Sequence, residues 1–326
     1  MNIFNYFKSK RTDNMNEQGP NWERNVISKL AEASLQEQKR ARHWSIFFKL
    51  LTFGYLITLL VMFSNSDMTA KKLTSKHTAL VDLSGLIAEG EKASSDNIVT
   101  ALRNAFEDKN TTGVILRINS PGGTPVQAGY IYDEIVRLRK IHPDTPLYAV
   151  ISDMCASGGY YVAAAADKIY ADKASIVGSI GVRMDNFGFV EAMKKLGIER
   201  RTLTAGKNKA LLDPFSPVDK EVNKHMNTML QSIHQQFINA VKKGRGDRLK
   251  DIEDLFSGLI WTGEQSLEIG LVDELASAGY VAREVIGEED IVNFTVTDDL
   301  LDRLAKRVGA SMASILMKNE NQPYMY

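Results

Sequence analysis

Val114-Ile-Leu-Arg-Ile-Asn-Ser-Pro-Gly-Gly123 and Leu147-Tyr-Ala-Val-Ile-Ser-Asp-Met-Cys-Ala-Ser-Gly-Gly-Tyr-Tyr161 decide how this chain folds. Each opens on a run of aliphatic residues and ends in a glycine pair. Such runs, too short for helices and without polar alternation, predict buried strands over Gly113–Ile118 and Leu147–Ile151. Between them the spacing predicts a helix from Val126 to Ile141. Strand, helix, strand in that order predicts a parallel pair joined by a right-handed crossover.

Working outward, Thr78–Ile87 predicts another strand. Ser95-Asp96 can cap a helix through Ile98, Leu102 and Phe106. Gly158–Ala166 predicts a short helix rich in small residues, Glu199–Leu203 a strand-like stretch, and Lys220–Lys243 a long helix that breaks at Gly244-Arg-Gly246. The fold class is therefore α/β with a largely parallel sheet.

The chain has 326 residues, 40 Lys+Arg and 40 Asp+Glu, for a net charge of zero. That balance excludes nucleic-acid binding by bulk charge. A single cysteine, Cys155, allows no intrachain disulfide and no cysteine-based structural metal site.

The N-terminal part reads differently. Residues 1–43 are polar and rich in Lys and Arg, with Lys39, Arg40 and Arg42 at their end. Residues 44–63 are apolar but for Lys49, and twenty residues of helix span about 30 Å, the thickness of a bilayer core. The expectation is a polar cytoplasmic segment (1–43), a transmembrane anchor (44–65), a linker (66–77), a catalytic domain (78–290) and a C-terminal extension (291–326). The basic residues before the apolar run place the N-terminus in the cytoplasm. The remainder then lies on the far side of the inner membrane, the periplasm of a Gram-negative cell.

Both glycine pairs stand at the C-terminal ends of strands, where open α/β sheets bind ligands. Each precedes a helix whose first N–H groups have no partner of their own and suit a negative oxygen. Ser157 heads one of these helices. The signature is not G-x-S-x-G, because Cys155 stands two residues before the serine. By itself Ser-Gly-Gly is also compatible with a simple turn. A nucleophilic serine needs a base. None of His43, His77, His142, His225 and His234 falls in a glycine-rich turn or at a predicted strand end. Lys207 and Lys209, in Thr204-Ala-Gly-Lys-Asn-Lys-Ala210, are the other candidates. An amine base must be neutral, and lysine's reference pKa is ~10.4. Spacing alone is equally consistent with a solvated loop.

The motifs taken together resemble the bacterial signal peptide peptidase A family, membrane-anchored serine peptidases of the Ser-Lys type, in its short form. They are Arg117-Ile-Asn-Ser-Pro-Gly-Gly123, Ala156-Ser-Gly-Gly-Tyr-Tyr161, Ala165-Ala-Asp-Lys-Ile-Tyr170, Val177-Gly-Ser-Ile-Gly-Val182, Gly206-x-x-Lys209, Gly244-Arg-Gly246 and Gly270-Leu-Val-Asp-Glu274, in family order. The resemblance implies a fold related to the Clp protease subunit and the crotonases, a spiral of βαβ units. It assigns the nucleophile to Ser157, the general base to Lys209, the oxyanion hole to the N–H groups of Gly123 and Gly158, and a supporting hydroxyl to Ser179. It implies remnant signal peptides as substrates, membrane lipid and further copies of the chain as partners, and no metal or cofactor. Cys155 departs from the family pattern and reads as a small buried hydrophobe. Two other classes share the general fold: a crotonase-type enzyme acting on acyl-CoA, and a non-catalytic membrane scaffold.

Overall fold

The structure is a computed structural model and describes residues 22–64 and 75–297. The chain divides into two units, Met1–Met68 and Thr69–Tyr326. In the first, one continuous helix, α1, runs Trp22–Ser64. It crosses the boundary expected at residue 43 without a break. Its large apolar side chains from Trp44 to Ile57 are exposed all round. Among the described residues no helix is long and apolar enough to cross a membrane. The side chains of residues 60–63, the end of the apolar run, lie outside the described residues, as do residues 1–21, most of the expected linker and the extension from 298 on.

The second unit is built on an eight-stranded sheet. In chain order its elements are β1 (His77–Ser84), α2 (Ser95–Glu107), β2 (Thr111–Ser120), α3 (Pro125–Ile141), β3 (Leu147–Ala156), α4 (Gly158–Ala163), β4 (Lys168–Ala171), β5 (Ile176–Gly178), α5 (Val190–Lys195), α6 (Lys220–Arg245), β6 (Ile260–Thr262), α7 (Gly263–Glu268), β7 (Glu274–Leu275) and β8 (Ile291–Asn293). The strand order is β6-β5-β3-β2-β1-β8, with β4 on β3 and β7 on β4. Every pairing is parallel except β5 with β6. This mostly parallel sheet fits the Clp protease-like fold.

The central strands are apolar in succession because both faces of the sheet are covered. On one face Val81, Leu83, Leu116, Ile118, Ala149 and Ile151 pack in the main core. There α2 buries Ile98, Ala101, Leu102, Ala105 and Phe106, and α3 buries Ala128, Ile131, Tyr132, Ile135 and Leu138. These are stripes at three- and four-residue spacing, the signature of a helix lying on a sheet. The other face is closed by a smaller cluster of Leu80, Ile115, Val150, Tyr170, Val281 and Ala282.

Strand β3 is the pivot. Tyr148–Ile151 pairs with β4, whereas Met154–Ala156 pairs with β5, and the register against β2 shifts between Ile118 and Ser120. The strand expected to end at Ile151 therefore continues to Ala156. Asp153-Met-Cys-Ala is strand, because β5 supplies backbone partners that the sequence pattern does not reveal. The converse holds at Glu199–Leu203, which forms no strand. It has suitable residue types but pairs with no strand among the described residues. β8 pairs with β1, so the sheet extends three residues past the boundary expected at 290.

Candidate active site

Ser157 is the whole of the turn between β3 and α4. Its backbone torsions are φ 51° and ψ −122°, a left-handed conformation that costs an L-residue about 1–3 kcal/mol. Its N–H donates to Gly178 O at 2.8 Å, closing the β3–β5 ladder, and its carbonyl accepts from Tyr161 N at 3.0 Å, opening the helix. Its backbone is held from both sides. This is the strained strand-to-helix turn of a nucleophile elbow without the elbow's flanking sequence; the sequence places Ser157 at the head of the helix, and the structure adds the left-handed torsion.

The other glycine pair lies against this turn. Gly122 has φ +102°, and a Cβ on it would sit 2.8 Å from Gly158 N and 2.8 Å from Ser157 Cβ. A Cβ on Gly158 would sit 3.2 Å from Gly123 N. Only glycine lets the two turns approach so closely. The Gly122–Gly123 backbone is fixed from behind by Ile87, whose N–H donates to Gly122 O and whose carbonyl accepts from Thr124 N, both at 2.8 Å. A Cβ on Gly123 would meet Ile87 O at 2.0 Å. The N–H groups of Gly123 and Gly158 donate to no protein acceptor among the described hydrogen bonds. The arrangement is a serine beside two free main-chain donors, able to stabilise a negative oxygen.

Ser179 is drawn in by the same ladder. It follows Gly178, the residue that holds Ser157, has φ 53°, and donates its N–H to Leu259 O at 2.7 Å. His234 Nε2 lies 3.0 Å from Ile180 O. No histidine bonds to Ser157 among the described residues. Cys155 is buried, and burial pushes its thiol pKa far up, so it remains a protonated core residue.

Lys209 stands apart. It lies in an exposed turn after Gly206 (φ +102°), and its N–H donates to Gly206 O at 3.1 Å. Among the described residues no hydrogen bond or ion pair reaches its amine, and none joins it to Ser157. Lys207 lies in the same turn and lines a cavity of about 590 Å³ with Met184, Phe187, Leu211 and Met226. The turn's far end is pinned by Asp213, which pairs with Arg200 and accepts from Ser216 Oγ at 2.7 Å. These contacts hold the Asp213 pKa down at about 2. One chain thus brings Gly122 and Gly123 against Ser157 and Gly158, sets Ser179 next to the Gly178 that holds Ser157, and joins Lys209 to Ser157 by no hydrogen bond among the described residues.

Comparison with known proteins locates the chain. The family model Peptidase family S49 matches residues 140–291, a span that holds Ser157, Gly158, Ser179 and Lys209. A protein of Synechocystis sp. named "Putative protease" is 30% identical over 207 residues, 64% of this chain and 72% of that protein. The "Putative signal peptide peptidase SppA" of Enterococcus faecium is 29% identical over 250 residues, covering 73% and 72%. The Na(+)/H(+) antiporter NhaA of Brucella abortus is 45% identical over 188 residues, 58% of this chain but 25% of that much longer protein.

Proposed function

The chain belongs to peptidase family S49, the signal peptide peptidase A family, and on that premise we propose that it is a serine endopeptidase with a Ser157–Lys209 dyad, anchored in the inner membrane. The observation that carries this reading is the strained turn at Ser157 with two free glycine N–H groups beside it.

Ser157 Oγ attacks the scissile carbonyl carbon while its proton passes to Lys209 Nζ. The carbonyl oxygen becomes an oxyanion held by Gly123 and Gly158 N–H, each such donor contributing on the order of 3 kcal/mol to lowering the barrier. The intermediate collapses, the C–N bond breaks, and the leaving amine takes the proton from Lys209. Water then attacks the acyl-enzyme, again giving a proton to Lys209, and the acid leaves as Ser157 Oγ is reprotonated.

The base has to be a neutral amine, and an amine in water is protonated near pH 7. Burial is what removes that proton. Lys209 is exposed in one chain, so the reading requires a second copy to cover it and bring it to a neighbour's Ser157. The same region supports this. Met184, Phe187, Leu196, Leu203, Phe215 and Val218 are all exposed, apolar side chains that a second copy would cover. The substrates that suit a membrane-tethered site are apolar peptides such as remnant signal peptides, whose local concentration a tether raises. The anchor is the apolar run from Trp44 to Phe63.

The test is hydrolysis of a signal-peptide substrate by the full chain in detergent or vesicles. Ser157→Ala is expected to lose activity while melting normally, and a fluorophosphonate is expected to label Ser157 in the unmodified chain. Undiminished hydrolysis by the Ser157→Ala chain would overturn the assignment.

A further inference from the structure

Tyr160 lies on the first turn of α4, three residues after Ser157 and two after Gly158. It is 0% exposed, and its hydroxyl donates to Leu271 O at 2.7 Å. Leu271 belongs to the segment Gly270-Leu-Val-Asp273, which is gripped by Arg245 at the end of α6. Arg245 Nε donates to Gly270 O at 3.0 Å, and its two terminal nitrogens donate to the Asp273 carboxylate at 2.6 and 2.9 Å. Asp273 also accepts from Ile169 N at 2.7 Å. Arg245 is 2% exposed. Gly244 closes the other end of this region, since a Cβ there would meet Ala164 O at 1.8 Å.

Helix α4 has six residues. So short a helix does not hold its own direction, because its few internal bonds do not offset the cost of its nucleus. Its axis is set by what its side chains and glycines are fastened to. On its first turn the Tyr160 hydroxyl bonds Leu271, in the segment that the Arg245–Asp273 pair holds. A phenylalanine would fill the same space, so the oxygen serves no packing purpose.

We propose that Tyr160 is a positioning residue: its hydroxyl, braced through Leu271 by the Arg245–Asp273 clamp, fixes the first turn of α4 and thereby aims Gly158 N–H and Ser157 Oγ at the reacting carbonyl. This rests on the reading of Ser157 as nucleophile. Burial pushes the Tyr160 pKa up, so the phenol stays a donor at every pH where the chain is folded. The Gly244-Arg-Gly246 and Gly270-Leu-Val-Asp-Glu274 motifs, over eighty residues from the serine, thereby bear on the chemistry through one hydrogen bond.

The experiment uses the full chain with Tyr160→Phe. The expected result is a kcat about tenfold lower, from one misaligned donor, with KM within about twofold of the unmodified chain. Affinity for a peptide aldehyde, which forms a hemiacetal with Ser157 and places its oxygen at the two N–H groups, falls by the same factor. Unchanged kcat and aldehyde affinity, or a change confined to KM, overturns the proposal. Should Tyr160→Phe fail to fold, Arg245→Lys keeps the charge and loses the fork, and the same kcat loss at constant KM is expected; an unaltered kcat overturns it equally. Ser157→Ala separates the two levels. Activity retained there sinks the nucleophile assignment itself, whereas an inactive Ser157→Ala chain beside a fully active Tyr160→Phe chain sinks only the positioning role.

Discussion

The turn at Ser157 and the turn at Lys209 are built in opposite ways. Ser157 is held by the β3–β5 ladder, abutted by Gly122, and followed by a helix fastened to the far side of the domain. The Lys209 turn is exposed and carries a backbone bond to Gly206, and its flanking stretch Glu199–Leu203 pairs with no strand. The nucleophile's side is finished within one chain, where strain at a left-handed serine is absorbed by surrounding contacts. The side of the proposed base is open there, because Lys209 is exposed in one chain. The contrast is what the proposed assembly of neighbouring copies would resolve, by covering the Lys209 turn.

The strongest way to break this comparison is to separate the two halves. Ser157→Ala and Lys209→Ala chains are each expected to be inactive, with losses of at least about 10⁴-fold in kcat. Refolded together, they should recover roughly a quarter of normal activity if serine and lysine come from neighbouring copies. Mixed assemblies that remain dead, while either single variant stays folded and assembled, would mean that both groups act within one chain. Next in size is Gly122→Ala. Its methyl group would sit at 2.8 Å from backbone and side-chain atoms of the serine turn, at φ +102°. We expect a stability loss of roughly 3 kcal/mol and an activity loss beyond about 100-fold, read by chemical denaturation and peptide hydrolysis.

Asp273→Asn sharpens the contrast from the rigid side. Burial alone would raise the Asp273 pKa, but the Arg245 hydrogen bonds and charge outweigh it and hold the value below the ordinary carboxylate range. A carboxylate depressed on folding stabilises the chain above its unfolded pKa, and that stability is lost as pH falls through the lower folded value. Removing it should cost about 3 kcal/mol at pH 7, since it leaves buried Arg245 uncompensated. The difference from the unmodified chain should shrink below about pH 4. A difference that does not change as pH falls from neutral through the acid range would refute the linkage. The smallest effect belongs to Lys207→Ala, an exposed position, where stability should stay within about 0.5 kcal/mol and peptide hydrolysis should be unchanged. A large loss there would transfer the base from Lys209 to its neighbour.

Much of this architecture is legible without coordinates. The aliphatic runs at Val114–Ile118 and Leu147–Ile151 predict buried strands because a sheet covered on both faces admits no polar alternation. The apolar spacing of α2 and α3 is the imprint of one face on a core. The glycine pairs mark turns at strand ends where a ligand can approach the main chain, and Ser157 at the head of a helix follows from the same pattern. Other features leave no local trace. Strand β3 is longer than its aliphatic run because β5, twenty residues on, supplies its partners. Glu199–Leu203 has strand-like residues and pairs with no strand among the described residues. Arg245 and Asp273, 28 residues apart, form a buried clamp that charge and spacing along the chain do not show.

The residue types of this chain therefore determined on their own where the three central strands and the helices α2, α3 and α6 lie, that two glycine pairs follow strands, and that a serine heads a helix after one of them. What only the tertiary structure decided is the left-handed torsion at Ser157, the meeting of Gly123 with Gly158, and the reach of the Arg245–Asp273 clamp to α4. Hydrophobic periodicity is a property of neighbours along the chain, set by whether a face meets water. Hydrogen-bond pairing and backbone strain arise between residues tens of positions apart, so they come into being only when the sheet closes.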